Sequence, residues 1–172
     1  MDARFTPAPP GMVFDLVKQT GSARTENCAD WRASTVPQAG RLRRTLFQHP
    51  DGRTDGDATF EVTLPPVAPG QRLVLEFATV ISNRSEDGVR FAVLVDGVER
   101  WNETKTAFLA PAAEAPGGHD GILPGAEPFT EHRVDLSADA GRTIRLTLRV
   151  NALAGNAYDW ANWVEPRIMA RP

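Results

Sequence analysis

Apolar and polar residues alternate along much of the chain with a period of two, and the spacing of an amphipathic helix is almost absent. The clearest run sets Ile144, Leu146, Leu148 and Val150 on one face and Thr143, Arg145, Thr147 and Arg149 on the other. A second sets Phe60, Val62 and Leu64 inward with Thr59, Glu61 and Thr63 outward. Such alternation belongs to antiparallel sheets that bury one face and wet the other. Leu73 to Ile81 is apolar on both faces except for Glu76, which predicts a central strand covered on both sides. Val89, Phe91, Val93 and Val95 line one face of the next strand, and His132 falls in phase with Val134 and Leu136.

Turn residues divide these runs. Asp96-Gly97 between two strand patterns is a hairpin signal, because the primed turns need positive φ at both positions. Asp51-Gly52, Asp55-Gly56 and Asp87-Gly88 mark further loops, and Pro65-Pro66 and Pro69-Gly70 separate the second strand from the third. Ser137 to Gly141 predicts a single helical turn with Ser at its start and Gly at its end. Two stretches fall outside the alternation. Residues 18–41 are polar and mixed, with Trp31 the only large apolar anchor, and residues 107–129 hold four prolines and four glycines and predict a long loop. Seven to nine short strands with so little helix predict an all-β fold, a two-sheet antiparallel β-sandwich of the jelly-roll kind. The pattern fits one domain over residues 11–170 behind a flexible segment 1–10.

Composition narrows the function. A net charge of −3 with arginines scattered on alternate strand positions gives no basic patch, which excludes nucleic acid as the expected partner. No apolar run reaches the ~18–20 residues of a membrane span, and Met1 to Pro10 is polar, with no apolar core for a signal peptide. Cys28 is the only cysteine, so neither an intrachain disulfide nor a cysteine metal site is expected, and it reads as a small semi-buried residue. No Gly-x-Ser-x-Gly elbow, His-Glu-x-x-His motif or phosphate-cradling glycine loop is present.

Three segments carry a family likeness. Phe91-Ala-Val-Leu-Val-Asp-Gly-Val-Glu-Arg-Trp101 resembles the hairpin of the galactose-binding-like jelly rolls. Arg133-Val-Asp-Leu-Ser, continuing through Ala140-Gly141-Arg142-Thr143-Ile144 to Leu148, is similar to the segment that follows in that superfamily. Asn156-Ala-Tyr-Asp-Trp-Ala-Asn-Trp-Val-Glu-Pro-Arg-Ile168 resembles the ending of NPCBM-type carbohydrate-binding modules, although Asn156 and Tyr158 stand where that pattern has Asp and Ala. The likeness is densest over residues 73–168. It implies a galactose-binding-like sandwich acting as a non-catalytic carbohydrate-binding module, an accessory domain of a bacterial secreted or surface protein. The implied partner is a polysaccharide or glycan.

Candidate ligand residues follow from sugar chemistry, since an aromatic ring matches the apolar face of a pyranose. Trp31, in the polar stretch, and Trp101, at a strand end, are the candidates for an exposed ligand face, with Tyr158 beside them. Trp160 and Trp163 flank the last strand and are expected in the core. His119 and Asp120 sit among glycines of the long loop, where backbone can approach a ligand closely. Related jelly rolls often carry a structural calcium near one end of the sandwich, and Asp159, Asn162 and Glu165 are the oxygen donors the likeness offers for it. The competing expectation is that Asp159 and Asn162 cap loop backbone. Two other readings stay open: a structural or protein-interaction sandwich that packs on a partner domain or on its own copy, and a small β-sandwich hydrolase or lyase using His119 or paired carboxylates.

Overall fold

The computed structural model describes residues 9–52, 54–82, 87–109, 129–155 and 159–172. Among these lie eleven strands in two antiparallel sheets. They are β1 (Met12–Asp15), β2 (Arg24–Glu26), β3 (Cys28–Gln38), β4 (Arg41–Pro50), β5 (Asp55–Thr63), β6 (Arg72–Ile81), β7 (Val89–Val95), β8 (Val98–Lys105), β9 (Thr130–Asp135), β10 (Thr143–Asn151) and β11 (Ala161–Arg171). One sheet runs β3-β4-β11-β6-β9 with β1 also on β11, and the other runs β2-β5-β10-β7-β8. The two-sheet sandwich expected from the alternation is the observed fold.

The inward positions are those the alternation picks out. Ile144, Leu146, Leu148 and Val150 of β10 pack with Phe60, Val62 and Leu64, with Val89, Phe91, Val93 and Val95, and with Leu73, Leu75 and Phe77 of β6. Asp96 and Gly97 take φ of +50° and +83° and close the β7–β8 hairpin as predicted. Ser137–Asp139 forms one 3-10 turn, tied down by the Asp135 carboxylate accepting from the Ser137 amide. Cys28 is half-buried as expected, and burial pushes its thiol up from the ordinary range.

Three expectations are corrected. The polar stretch 18–41 contains β2 and the eleven-residue β3, which is an edge strand and so need not be apolar on either side. Asp55-Gly56 is not a loop but the start of β5; the Gly56 position faces Pro50 and the Asn27 carbonyl, 3.1 Å from where a Cβ would sit. The described residues alone hold eleven strands rather than seven to nine, because β1, β2 and the β3–β4 hairpin lack the apolar period.

The sandwich centre is organised by one tryptophan and one glutamine. Trp163 is fully buried among Phe77, Phe91 and Trp101, with ring centroids 5.4, 5.2 and 6.3 Å away. Its indole N–H donates to Gln48 Oε1 at 2.8 Å. Gln48 Nε2 in turn donates to the carbonyls of Gly56 and Leu148, on the opposite sheet, at 2.8 and 3.2 Å. A buried amide that satisfies both its oxygen and its nitrogen in this way fixes the relative placement of the two sheets.

Candidate functional site

The outer face of the six-stranded sheet carries a concave, charged surface. Its geometry follows from an irregularity in β11. Strict alternation from Trp163 would send Arg167 into the core. Glu165 instead takes φ of +46°, and the register shifts between Val164 and Arg167. This bulge, with Pro166 inside it, rephases the strand so that Ile168 points inward and Arg167 pairs with Glu76 on the outside. Neighbouring strands supply Arg43 from β4, Glu76 from β6 and Glu131 and Arg133 from β9. Together with Arg171 they line a groove of about 640 Å³. A second hollow of about 650 Å³ shares Glu76, Arg133 and Arg171 and extends the groove past Arg72 and Asp135 to Pro172.

Charge in the groove is paired unevenly. Arg171 donates to both Glu76 oxygens, at 2.9 and 2.6 Å, and this bidentate contact holds the Glu76 carboxyl below the usual carboxylate range. Arg43 donates to Gln38, Glu131 and Glu165 at 2.6, 2.9 and 3.2 Å. Burial works against the Arg43 charge, but those carboxylates outweigh it and its pKa rises. Arg133 and Arg167 approach Glu76 only to 3.6 and 3.7 Å.

Beside the charged groove lies an apolar ridge on the same face. Val36, Ala78, Val80 and Val164 are covered by Leu109 and Phe129, which flank the long proline- and glycine-rich segment. Beyond it Phe47 packs edge-on against Trp160, with centroids 6.2 Å apart, and Arg32 stacks 4.1 Å above the Phe47 ring. Trp160 is 40% exposed, which corrects the expectation that it is core. It immediately precedes β11 and lies on the outer face, whereas Trp163 lies on the inner one.

The other aromatic candidates do not gather with it. Trp31 is half-buried on β3, its ring edge on Phe60 at 6.0 Å and its N–H donating to the Thr20 carbonyl at 3.1 Å. Trp101 is half-buried at the opposite edge of the sandwich, on β8, 4.9 Å from Phe77 and 4.4 Å from His132. His119, Asp120 and Tyr158 lie outside the described residues.

The oxygen donors considered for calcium are turned to other work. Asn162 accepts from the Thr45 hydroxyl at 3.0 Å and donates to Ser82 and to the Trp160 carbonyl, so it anchors backbone and side chain around the start of β11. Glu165 belongs to Arg43, and Asp159 is fully buried. Among the described residues no group of three or more His, Cys, Asp and Glu side chains is placed to hold a metal ion.

A polar cluster closes the edge between β8 and β9. Glu103 accepts from the Thr79 hydroxyl at 2.8 Å and lies 3.0 Å from His132 Nε2, while Lys105 donates to Thr130 at 2.6 Å. His132 points inward, as its phase predicts, and packs under Trp101. Burial lowers its pKa; Glu103 and Glu131 oppose that effect and Lys105 adds to it. The folded state therefore binds fewer protons here than the unfolded state, and stability rises with pH. The chain is expected to lose stability as pH falls through about 6.5, and the loss levels off below the folded-state pKa. Urea midpoints between pH 7.5 and 5 measure it. A His132→Gln variant should flatten that segment of the curve; a wild-type slope surviving in the variant would assign it to other groups.

The hydrolase or lyase reading rests on His119, which lies outside the described residues, or on paired carboxylates left open to substrate. The groove carboxylates are instead engaged by arginines, and the shift at Glu76 is downward.

No family model and no curated protein matches the sequence. Solved structures do match in shape. A cleaved adhesin domain of the Lys-gingipain of Porphyromonas gingivalis superposes with a TM-score of 0.54 at 14% identity, covering 88% of this chain and 92% of that one. The CBM27-1 module of Caldicellulosiruptor saccharolyticus, solved with mannohexaose, gives 0.52 at 13% identity, covering 90% and 93%. The CBM51 of Clostridium perfringens GH95, solved with methyl-galactose, gives 0.50 at 12% identity, covering 91% and 99%. At such identities the likeness establishes the fold alone: the chain is an all-β, two-sheet antiparallel sandwich, the architecture that these solved domains also have.

Proposed function

We propose that the chain is a non-catalytic carbohydrate-binding module that takes its saccharide in the groove on the outer face of the six-stranded sheet. The observation that carries this reading is the groove itself, where planar arginine forks and carboxylates surround about 640 Å³ of open space. A sugar hydroxyl both donates and accepts, so a lining that mixes guanidinium donors with carboxylate acceptors suits it. Trp160 and Phe47 lie on the same sheet face and offer an apolar surface for a pyranose ring. The NPCBM-like ending supports the reading, because that segment, the start of β11 with Trp160 just before it, brings Trp160, Glu165 and Arg167 to this face. The setting that goes with it is an accessory domain of a bacterial secreted or surface protein.

A glycan array combined with affinity electrophoresis against soluble polysaccharides tests it. Retardation by at least one polysaccharide is expected, and Arg43→Ala should weaken that binding about 10- to 100-fold, the range for losing a charged hydrogen bond. Silence in both assays would overturn the reading.

A further inference from the structure

We infer that the groove selects acidic saccharides, those bearing a carboxylate or a sulfate ester. This rests on the carbohydrate reading and adds to it the sign of the ligand's charge. Every carboxylate around the main hollow already has its charge paired with an arginine: Glu131 and Glu165 with Arg43, and Glu76 through the two-pronged contact of Arg171. Two guanidinium groups are left over. Arg133 and Arg167 stand 3.6 and 3.7 Å from Glu76, near enough for attraction and beyond good hydrogen-bond length. Arg167 Nε is buried without a hydrogen-bond partner, an uncommon condition for a buried donor.

The placement suits an anion. Arg167 remains partly open to the groove while Arg133 is largely exposed on the neighbouring strand, so two positive forks border one hollow from β11 and β9. Arg72 borders the adjoining hollow, where Asp135 is occupied in part by the Ser137 amide. A planar carboxylate or a tetrahedral sulfate can accept from such forks pairwise, which a lone hydroxyl cannot do. The arrangement therefore distinguishes an acidic sugar from its neutral counterpart within an overall acidic chain.

The test uses the full chain in affinity electrophoresis and titration calorimetry with four probes. These are polygalacturonate, its fully methyl-esterified form, a sulfated galactan, and polyglutamate as a polyanion that is not a sugar. Tight binding of polygalacturonate or the sulfated galactan is expected, the two arms separating carboxylate from sulfate. The esterified form should bind about tenfold or more weakly. Arg133→Gln and Arg167→Gln should each lower acidic-saccharide affinity several-fold and narrow the preference for the acid over the esterified form; Arg133→Gln, at an exposed side chain, serves if the other variant does not fold. Equal affinity for the acid and esterified forms overturns the inference while leaving the carbohydrate reading intact. So does equal affinity for polyglutamate, or acidic binding that ignores both arginines. No binding to any polysaccharide removes both.

Discussion

Replacing Trp163 with alanine is expected to cost about 3–5 kcal/mol of stability, the range for deleting a fully buried large aromatic. Trp163 has no solvent exposure, and its ring is enclosed by aromatic rings from three strands, Phe77, Phe91 and Trp101. Removing it opens a cavity that β-sheet backbones on both sides can close only in part. It also takes the donor from Gln48 Oε1, in the amide that joins the two sheets through Gly56 and Leu148. For a domain of this size the melting temperature should fall by on the order of 10 °C. Trp163→Phe separates the two effects. It keeps most of the ring and removes the N–H, so its cost should approach the ~1–3 kcal/mol of a stranded buried acceptor. Urea denaturation of both variants gives the comparison, and a loss below about 1 kcal/mol for the alanine variant would contradict the assigned role.

The contrast between Trp163 and Trp160 shows how far the sequence could be read. Alternation located the inward faces of β5, β7 and β10, and an apolar run on both faces marked β6 as a strand covered on both sides. It could not rank two tryptophans three residues apart at the entrance to β11, where one faces inward and the other outward. Nor does a period of two survive the Glu165 bulge, although the five-residue gap between Trp163 and Ile168 is a sign of broken phase. Edge strands were hidden for a different reason. β3 borders solvent along one side, and Arg32, Ser34 and Gln38 on its outer face carry no apolar signal. The groove was least legible of all. Arg43, Glu76, Arg133 and Arg171 belong to four strands, and their approach depends on the order β4-β11-β6-β9. Read along the chain, the same arginines look scattered.

Gly88→Ala is the second substitution expected to act strongly, and Gly97→Ala shows why. Both glycines have similar positive φ, +88° and +83°, so an added side chain meets comparable backbone strain at each, about 1–3 kcal/mol. Their surroundings differ. At Gly97, in the exposed β7–β8 turn, a Cβ meets nothing within 4 Å. At Gly88 it would sit 2.6 Å from the Lys105 carbonyl oxygen and 3.0 Å from the Thr106 methyl, and a backbone atom cannot swing aside as a flexible side chain can. Relief would require moving the end of β8, where Lys105 pairs with Val89 and donates to Thr130, two residues from the Glu103 that His132 and Thr79 contact. That displacement adds an overpacking cost of about 1–3 kcal/mol to the strain. Gly88→Ala should therefore be the more destabilised by at least ~1 kcal/mol, as read from urea midpoints at a common pH. Because the clash lies at the mouth of the His132 cluster, it should also loosen the burial that lowers the His132 pKa. The variant's pH-dependence of stability should then be shallower than that of the wild type. Equal losses in the two alanine variants would mean that β8 accommodates the methyl freely, and that its end is not fixed by the contacts to β7 and β9.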